Sequence, residues 1–580
     1  MSRFAILLAL AVGTASAVLG YVETSAGFQN HPELDGGRSE LELADVNDDG
    51  NIDILSIGDH GNPYINTDEH GVMVWFGDGQ GGWSLYQYGD FGYGGIAVGD
   101  VNGDGLADIG YGMHHNYSSG DLGDQLVEVA LGDGTGRMWS AWGDSLAMEG
   151  QDWGMFATDF ADIDNDGDLD VGSISFGADN GLHVYLNLGT GTWRRSFGFL
   201  GGNSQMEFYF RDVNRDGNVD VIAAHGTGSV WFGDGAGGFT PANTGLPSSS
   251  YGLDGLSAGD ADNDGGCDVS FANSSGGVEV YVWDDAGLTW RGFSNALPGS
   301  GPYEATALCD MDADGNADLV AFGGGQLRVW TGDGAGNWTD ATSLNTPSAG
   351  TYSALRTGAD VDHNGRPDIV LWAREGSWPS DINVAHAFRD TTARDSLAVF
   401  PVFPHGGEKF ANGSVQFIDW WSEAPGAEST RVRIELSSQG PAGPWTPVAD
   451  SLRNDGRWQW AVPTGVTSAD CYLRYAVMGP QGTAEAVTPR SFAIGDTLTA
   501  VRGPSARPQR AGPRLAPNPA RDRVNFLGVG APVEFSIVDA AGRRRESGLS
   551  TSIRLGGLEA GVYFVLAEGA VRPLRLVVER

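Results

Sequence analysis

Residues 44–55 read ADVNDDGNIDIL. Asp45, Asn47, Asp49 and Asp53 place oxygen-bearing side chains close together, Gly50 sits among them, and an apolar strand follows. Like charges at this spacing repel, so the stretch calls for a cation. In the pattern D-x-[DN]-x-[DN]-G-x-x-D, positions 1, 3 and 5 turn their oxygens inward from one tight loop. Position 6 is glycine because the chain bends sharply, position 7 offers a backbone carbonyl, and position 9 closes the shell. All donors are hard oxygens, and a flexible shell of six or more suits calcium better than magnesium. A solitary loop of this composition is equally a solvated Asx turn, so recurrence decides between them.

The stretch recurs. After DVNDDGNID at 45 come DVNGDGLAD at 100, DIDNDGDLD at 162, DVNRDGNVD at 212, DADNDGGCD at 260, DMDADGNAD at 310 and DVDHNGRPD at 360. The starts are 55, 62, 50, 48, 50 and 50 residues apart, a period that points to a propeller blade or a solenoid turn. Each copy sits between a short alternating segment such as Leu41-Glu42-Leu43 and an apolar strand such as Ile52-Asp53-Ile54-Leu55. A second strand follows, as in Val72–Phe76, and then a glycine-rich turn ending in an aromatic. These turns run GDGQGGW to Trp83, GDGTGRMW to Trp139, NLGTGTW to Trp193, GDGAGGF to Phe239, DDAGLTW to Trp290 and GDGAGNW to Trp338. Glycine admits the positive φ of a hairpin turn, and the aromatic opens another strand that packs on its neighbour. Each unit is a meander of about four short strands, a propeller blade. The seventh unit has no such turn after Ala385–Phe388, whereas Ala26-Gly27-Phe28 resembles the missing piece. The N-terminal segment is therefore expected to supply the outer strand of the last blade and close the ring.

The candidate metal ligands follow from the repeat. They are Asp45, Asn47, Asp49, Asn51 and Asp53 in the first loop, and Asp100, Asn102, Asp104, Leu106 and Asp108 in the second. The third has Asp162, Asp164, Asp166, Asp168 and Asp170; the fourth has Asp212, Asn214, Asp216, Asn218 and Asp220. The fifth has Asp260, Asp262, Asp264, Gly266 and Asp268; the sixth has Asp310, Asp312, Asp314, Asn316 and Asp318. The seventh has Asp360, Asp362, Asn364, Arg366 and Asp368, and is the poorest because Asn364 replaces an acid, Arg366 brings a positive charge and Pro367 stiffens the turn. Position 7 contributes only its carbonyl, so Leu106, Gly266 and Arg366 are admissible there. Up to seven calcium ions are expected, and their +14 would move the formal charge from -41 to -27.

The totals agree. A chain of 580 residues exceeds one ordinary core. Its 75 acids against 34 basic residues argue against a nucleic-acid partner. The 90 glycines, about twice the usual share, match a turn-rich all-β chain. MSRFAILLALAVGTASA, residues 1–17, has a positive start, a short apolar run and the small-residue end Ala15-Ser16-Ala17 of a secretory signal peptide. No other stretch is apolar enough to span a bilayer, so the mature chain is expected to carry no transmembrane segment. Cys267, Cys309 and Cys471 are too few for a disulfide framework and have no zinc spacing.

On these loops and hairpins, residues 38 to about 390 resemble the FG-GAP/VCBS repeat family, seven-bladed propellers similar to the integrin α-subunit head. The resemblance implies calcium loops on one face, between the first and second strands of each blade, and ligand-binding loops on the opposite face. On that layout two long connections stand out. GDHGNPYINTDEHG, residues 58–71, carries His60, Tyr64 and His70, and GMHHNYSSGDLGD, residues 112–124, carries His114, His115 and Tyr117. Long polar loops on a rigid scaffold make binding surfaces or simply variable ones. Together the two hold four of the ten histidines.

Residues 393–497 hold β-type runs such as Arg431–Leu436 and Cys471–Val477 and resemble a fibronectin type III or immunoglobulin-like sandwich, expected to be a spacer. Residues 498–512, rich in Pro, Arg, Gly and Ala, read as a linker. From 500 to 580 there are 13 Arg against 7 acids, a sharp break from the rest. Residues 513–580 resemble the C-terminal sorting domain of type IX secretion cargo. The matching residues are Pro517-Asn518-Pro519, Ile537-Val538-Asp539 with Gly542, Gly561-Val562-Tyr563 and the basic end from Arg575 to Arg580. A similar fold occurs in flagellar hook-capping proteins. The sorting resemblance implies export through the periplasm of a bacterium to the cell surface or beyond, with the secretion machinery as a partner.

The domains read as 1–17 signal peptide, 18–392 propeller, 393–497 sandwich, 498–512 linker and 513–580 sorting domain. The chain lacks H-E-x-x-H and a P-loop, and no catalytic residue is assigned. The leading reading is surface adhesion or binding of a glycan or protein ligand. A polysaccharide-degrading lyase or hydrolase and a structural surface-layer component are the alternatives.

Overall fold

The computed structural model describes residues 19–28, 40–58, 70–89, 91–92, 94–113, 121–143, 146, 155–175, 181–198, 204–225, 228–247, 255–346, 354–375, 382–391, 396–424, 429–495, 514–516, 521, 523–527, 533–539, 543–567 and 574–578. Residues 1–17 and 498–512, read above as signal peptide and linker, lie outside them, as do Pro517-Asn518-Pro519, Gly542, Glu579 and Arg580. The fold is nearly all-β. Among the described residues the one helical turn is Asp121–Gly123.

Between residues 21 and 390 the described residues form seven four-stranded antiparallel sheets in a propeller-like arrangement. Six are sequential meanders, the first being Glu42–Ala44, Asp53–Ile57, Val72–Gly77 and Trp83–Tyr88. The seventh joins Leu355–Thr357, Ile369–Glu375 and Ile382–Asp390 to an outer strand, Tyr21–Glu23, from the N-terminal segment. Tyr21 lies opposite Asp390 and Glu23 opposite Phe388. The missing strand is thus N-terminal, but it precedes Ala26-Gly27-Phe28. Those residues reach the first sheet instead: Ala26 bridges Gly82, and Phe28 stacks on Trp83 with ring centroids 5.4 Å apart.

Alternation within one strand serves two cores. Ile54 and Trp75 of the first sheet pack with Val370 and Trp372 of the seventh, while Leu55 and Val74 pack with Ile96 and Ile109 of the second. Sheets stacked face to face leave their middle strands no solvent side, which is why Asp53–Ile57 is buried at every residue. The hairpin tryptophans add a polar tie. Trp193, Trp290 and Trp338 donate their indole N–H to the carbonyls of Trp142, Ala242 and Phe293 in the preceding unit, at 3.1, 2.8 and 2.7 Å. Trp83 does the same to Thr24, at 2.9 Å, across the closure.

The first strands of several sheets meet around one buried cation. Arg356 holds Glu40 and Glu207 at 3.0 Å each and Glu42 at 3.6 Å. Glu40 also accepts the backbone N–H of Ile96 and Thr158. Five sheets are therefore linked through one ion cluster. Burial pushes the carboxyl of Glu207 up to about 7, against the pull of Arg356.

Residues 398–494 form two further sheets. Ala398–Phe403, Val415–Glu423 and Arg457–Ala461 make one; the other is built on Arg431–Ser437 and Ser468–Gly479. Ile418, Trp420, Ile434, Trp460 and Tyr475 fill the space between them. This sandwich belongs to the same compact unit as the propeller-like sheets, residues 1–503. It is not a free-standing spacer, because it touches all seven Asp-rich loops, as described below. Residues 504–580 form the second compact unit. Its three-stranded and four-stranded sheets enclose Val524, Phe535, Ile537, Ile553, Val565 and Leu576. No helix among the described residues is long and apolar enough to cross a membrane.

Candidate metal centres

All seven loops adopt one cage. The position 1 carboxylate accepts the N–H of position 6: Asp45 from Gly50 at 2.7 Å, Asp162 from Gly167 at 3.1 Å, Asp360 from Gly365 at 2.8 Å. Position 5 accepts the N–H of position 7 as an Asx turn, as in Asp49 to Asn51 at 2.8 Å and Asn364 to Arg366 at 2.9 Å. The glycine at position 6 has φ between 83° and 101° in every loop, which only glycine adopts without strain. Position 4 is also left-handed. Asp48, Asn165, Arg215, Asn263, Ala313 and His363 have φ of 50° to 59°, and Gly103 has 76°. The sequence hinted at this through Asp, Gly and Asn at that position.

Position 9 has a role that spacing alone did not reveal. Its carboxylate clamps two backbone N–H groups in each loop, one from position 2 and one from the following strand or hairpin. Asp170 takes Ile163 at 2.8 Å and Asn187 at 2.7 Å, Asp220 takes Val213 and Gly233, and Asp368 takes Val361 and Asp390. Asp53, Asp108, Asp268 and Asp318 repeat the pattern. Asp53, Asp108, Asp170, Asp220 and Asp318 are wholly buried.

Four loops bring three carboxylates within 4.8 Å of one another: Asp162, Asp164 and Asp170; Asp260, Asp262 and Asp268; Asp310, Asp312 and Asp318; Asp360, Asp362 and Asp368. These are positions 1, 3 and 9. Position 3 is Asn47, Asn102 and Asn214 in the first, second and fourth loops, where an amide oxygen replaces the third carboxylate. Asp166, Asp264 and Asp314 at position 5 are not part of the triads. The donor set fits a hard cation, and orphaned oxygens support the fit. Oδ1 of Asp164, Asp262 and Asp362, and Oδ1 of Asp212 in the fourth loop, are buried without a hydrogen-bond partner. A bound cation would satisfy them.

The electrostatics agree. Burial raises the carboxyls of Asp45 and Asp162 to about 6, those of Asp108 and Asp310 to about 7, and those of Asp53 and Asp170 to about 8. Neighbouring aspartates add to the rise, and backbone N–H donors oppose it. A group of acids this reluctant to ionise wants a proton or a cation beside it.

Position 4 side chains join loops to their neighbours. Asn165 donates to Asn218 at 3.2 Å, Asn263 to Asn316 at 2.8 Å, and the His363 ring lies 3.0 Å from the Gly50 carbonyl, linking the seventh loop to the first. Arg215 of the fourth loop pairs with Asp264 of the fifth at 3.0 Å. The sandwich lies over this ring of loops. Gln459 brackets the backbone of Asp100 with bonds of 2.9 and 2.8 Å, Val415 N–H donates to Asp162 Oδ2 at 2.8 Å, and Ala424 N–H donates to the His363 carbonyl at 3.0 Å. Lys409 donates to the Asp216 carbonyl, Arg490 to that of Asn263, and Arg453 pairs with Asp48. His405 lies beside Gly315 of the sixth loop. Between the sandwich and the loops is a cavity of about 500 Å³, lined by Asp162, Asp212, Asp260, Asp310 and Asp360, the first ligands of five loops.

Of the residues assigned to ligand loops, His60, Tyr64, His114, His115 and Tyr117 lie outside the described residues. His70 is described: its Nδ1 lies 2.6 Å from the Gly89 carbonyl oxygen, a contact that fixes the ring against the first sheet.

No curated protein matches the chain. Solved structures similar to it include Sqt1 of Saccharomyces cerevisiae, at 10% identity over 64% of this chain and 100% of that one, with a TM-score of 0.34. An ancestral GH74 enzyme has 11% identity over 95% of this chain and 63% of its own, with a TM-score of 0.37. A point mutant of NanB sialidase from Streptococcus pneumoniae has 12% identity over 63% and 68%, with a TM-score of 0.32. Likenesses this distant carry no inference about chemistry. The family model is more specific, and its two matches begin at the first aspartate of the third loop and of the sixth: residues 162–223 and 310–371 are FG-GAP-like repeats.

Proposed function

We propose that this chain is an exported, calcium-loaded seven-bladed propeller that binds a glycan or protein ligand at a bacterial cell surface. The observation that carries the calcium reading is the convergence of positions 1, 3 and 9, with orphaned buried oxygens at position 3. Hard oxygen donors in a loop closed by glycine favour calcium over softer or smaller cations. The ligand reading is supported by the disposition of the faces. The sandwich occupies the loop face, so a partner would approach the opposite one, where strands Asp53–Ile57 and Asp108–Gly112 end. His60, Tyr64, His70, His114, His115 and Tyr117 are the residues proposed to meet it.

Residues 513–580 are proposed to address the chain to a type IX exporter after passage through the periplasm. The basic character of this segment in an otherwise acidic chain supports a separate role.

The test is retention of the mature chain on a panel of polysaccharides and surface proteins, in calcium and in chelator, with soluble products recorded. Calcium-dependent retention without products supports the proposal. New reducing ends or unsaturated sugars would replace it with the degrading-enzyme reading.

A further inference from the structure

We propose that calcium loading of the loop ring and docking of the sandwich are one linked equilibrium, with residues 398–494 acting as a cap that reads loop conformation. This rests on the calcium reading above. The contacts carry the inference. They go chiefly to backbone groups whose positions are set by the loop's bend: the Asp100 N–H and carbonyl, and the carbonyls of Asp216, Asn263 and His363. One goes to a ligand itself, since Val415 N–H shares Asp162 Oδ2 with Gly167 N–H.

The close approach is specific to the bent form. A Cβ at Gly167 would stand 3.0 Å from the Gly413 oxygen, and one at Gly265 would stand 2.4 Å from the Gly407 carbonyl carbon. A Cβ at Gly365 would stand 3.1 Å from the Glu423 nitrogen. In these loops the glycine turns the chain and also admits the cap's backbone. Gly50 and Gly105 have no such neighbour.

Without a cation, carboxylates within 4.8 Å of one another repel, and the loop relieves the repulsion by opening or by taking up protons. Opening moves the carbonyls that the cap grips. A cation that restores the bend therefore restores the docking surface, and by reciprocity docking raises cation affinity. The cap also borders the cavity lined by the first ligands of five loops, so its docking changes the surroundings of those carboxylates.

Hydrogen exchange on the full mature chain tests the linkage, with bound calcium measured directly on the same samples. In calcium, the amides of Val415 and Ala424 should be protected. In chelator they should exchange about tenfold faster or more, while Val477 in the sandwich core stays protected. Replacing Gln459 and Lys409 by alanine should lower apparent calcium affinity about three- to tenfold with the number of ions unchanged. Calcium loss with unchanged exchange at Val415 and Ala424 would overturn the linkage and leave the calcium reading intact. A wild-type chain that retains no calcium would overturn both. The wild-type comparison stands on its own if the double variant fails to fold.

Discussion

The third and seventh loops share a backbone and differ in what sits inside it. In both, the position 9 carboxylate clamps two N–H groups at 2.7–2.8 Å, and the position 1 carboxylate grips the glycine N–H. In both, three carboxylates converge within 4.8 Å. The third loop has Asp166 at position 5. The seventh has Asn364 there, and its Asp362 is held by Arg389 at 2.9 Å. A guanidinium thus pairs directly with position 3 of the seventh loop, whereas in the third loop Arg194 acts on Asp164 without an ion pair at that distance. The difference separates two functions of an aspartate-rich loop: positions 1 and 9 hold the backbone cage, and position 5 with the partner of position 3 decides what fills it.

Four predictions press on that separation. The largest effect should come from the clamp. Asp170→Ala and Asp368→Ala each strand two buried N–H groups and should each cost about 3–5 kcal/mol of stability, with or without calcium, in denaturant unfolding. A cost below about 1 kcal/mol would show that the clamp is not structural. Next, chelation should lower the melting temperature of the intact mature chain by about 5–10 °C, and magnesium should fail to restore it.

Third is pH. Burial holds Asp53 and Asp170 up to about 8, and Asp108 and Asp310 to about 7, above the unfolded value of about 4. The folded state therefore binds more protons than the unfolded one across that window, and stability falls as pH rises. In chelator the contribution is complete below about pH 4 and lost through pH 7–8, so the melting temperature should drop between pH 5 and 8.5. Calcium should flatten or reverse the trend by replacing the protons. A metal-free protein that grows more stable over this range would contradict the assignment.

The smallest effect belongs to Arg389→Ala. Removing the partly exposed guanidinium should raise calcium affinity at the seventh loop a few-fold and leave the third unchanged, read by calorimetric titration. Equal affinities before and after would mean that Arg389 does not compete with the ion.

Much of this was legible in the sequence because the information is local. Seven copies of one loop with glycine at position 6, and six hairpins that end in an aromatic, fix the repeat and the strand order. Closure by the N-terminal segment was legible from the missing hairpin, though Tyr21–Glu23 forms the strand and Phe28 packs on Trp83. What could not be read is non-local. The Arg356 cluster joins residues as far apart as Glu40 and Glu207. Gln459 meets Asp100 across 359 positions, which is why the sandwich read as a spacer. The clamp at position 9 escaped notice because a carboxylate that accepts backbone N–H groups and one that binds a cation have the same spacing.

The most direct test of the central claim is equilibrium dialysis of the intact mature chain against millimolar calcium, with metal analysis of the retained protein. Several calcium ions per chain should be retained, lost in chelator and not replaced by magnesium. Fewer than one ion per chain at millimolar calcium would contradict it, and would make the convergent aspartates a set of proton-sharing turns.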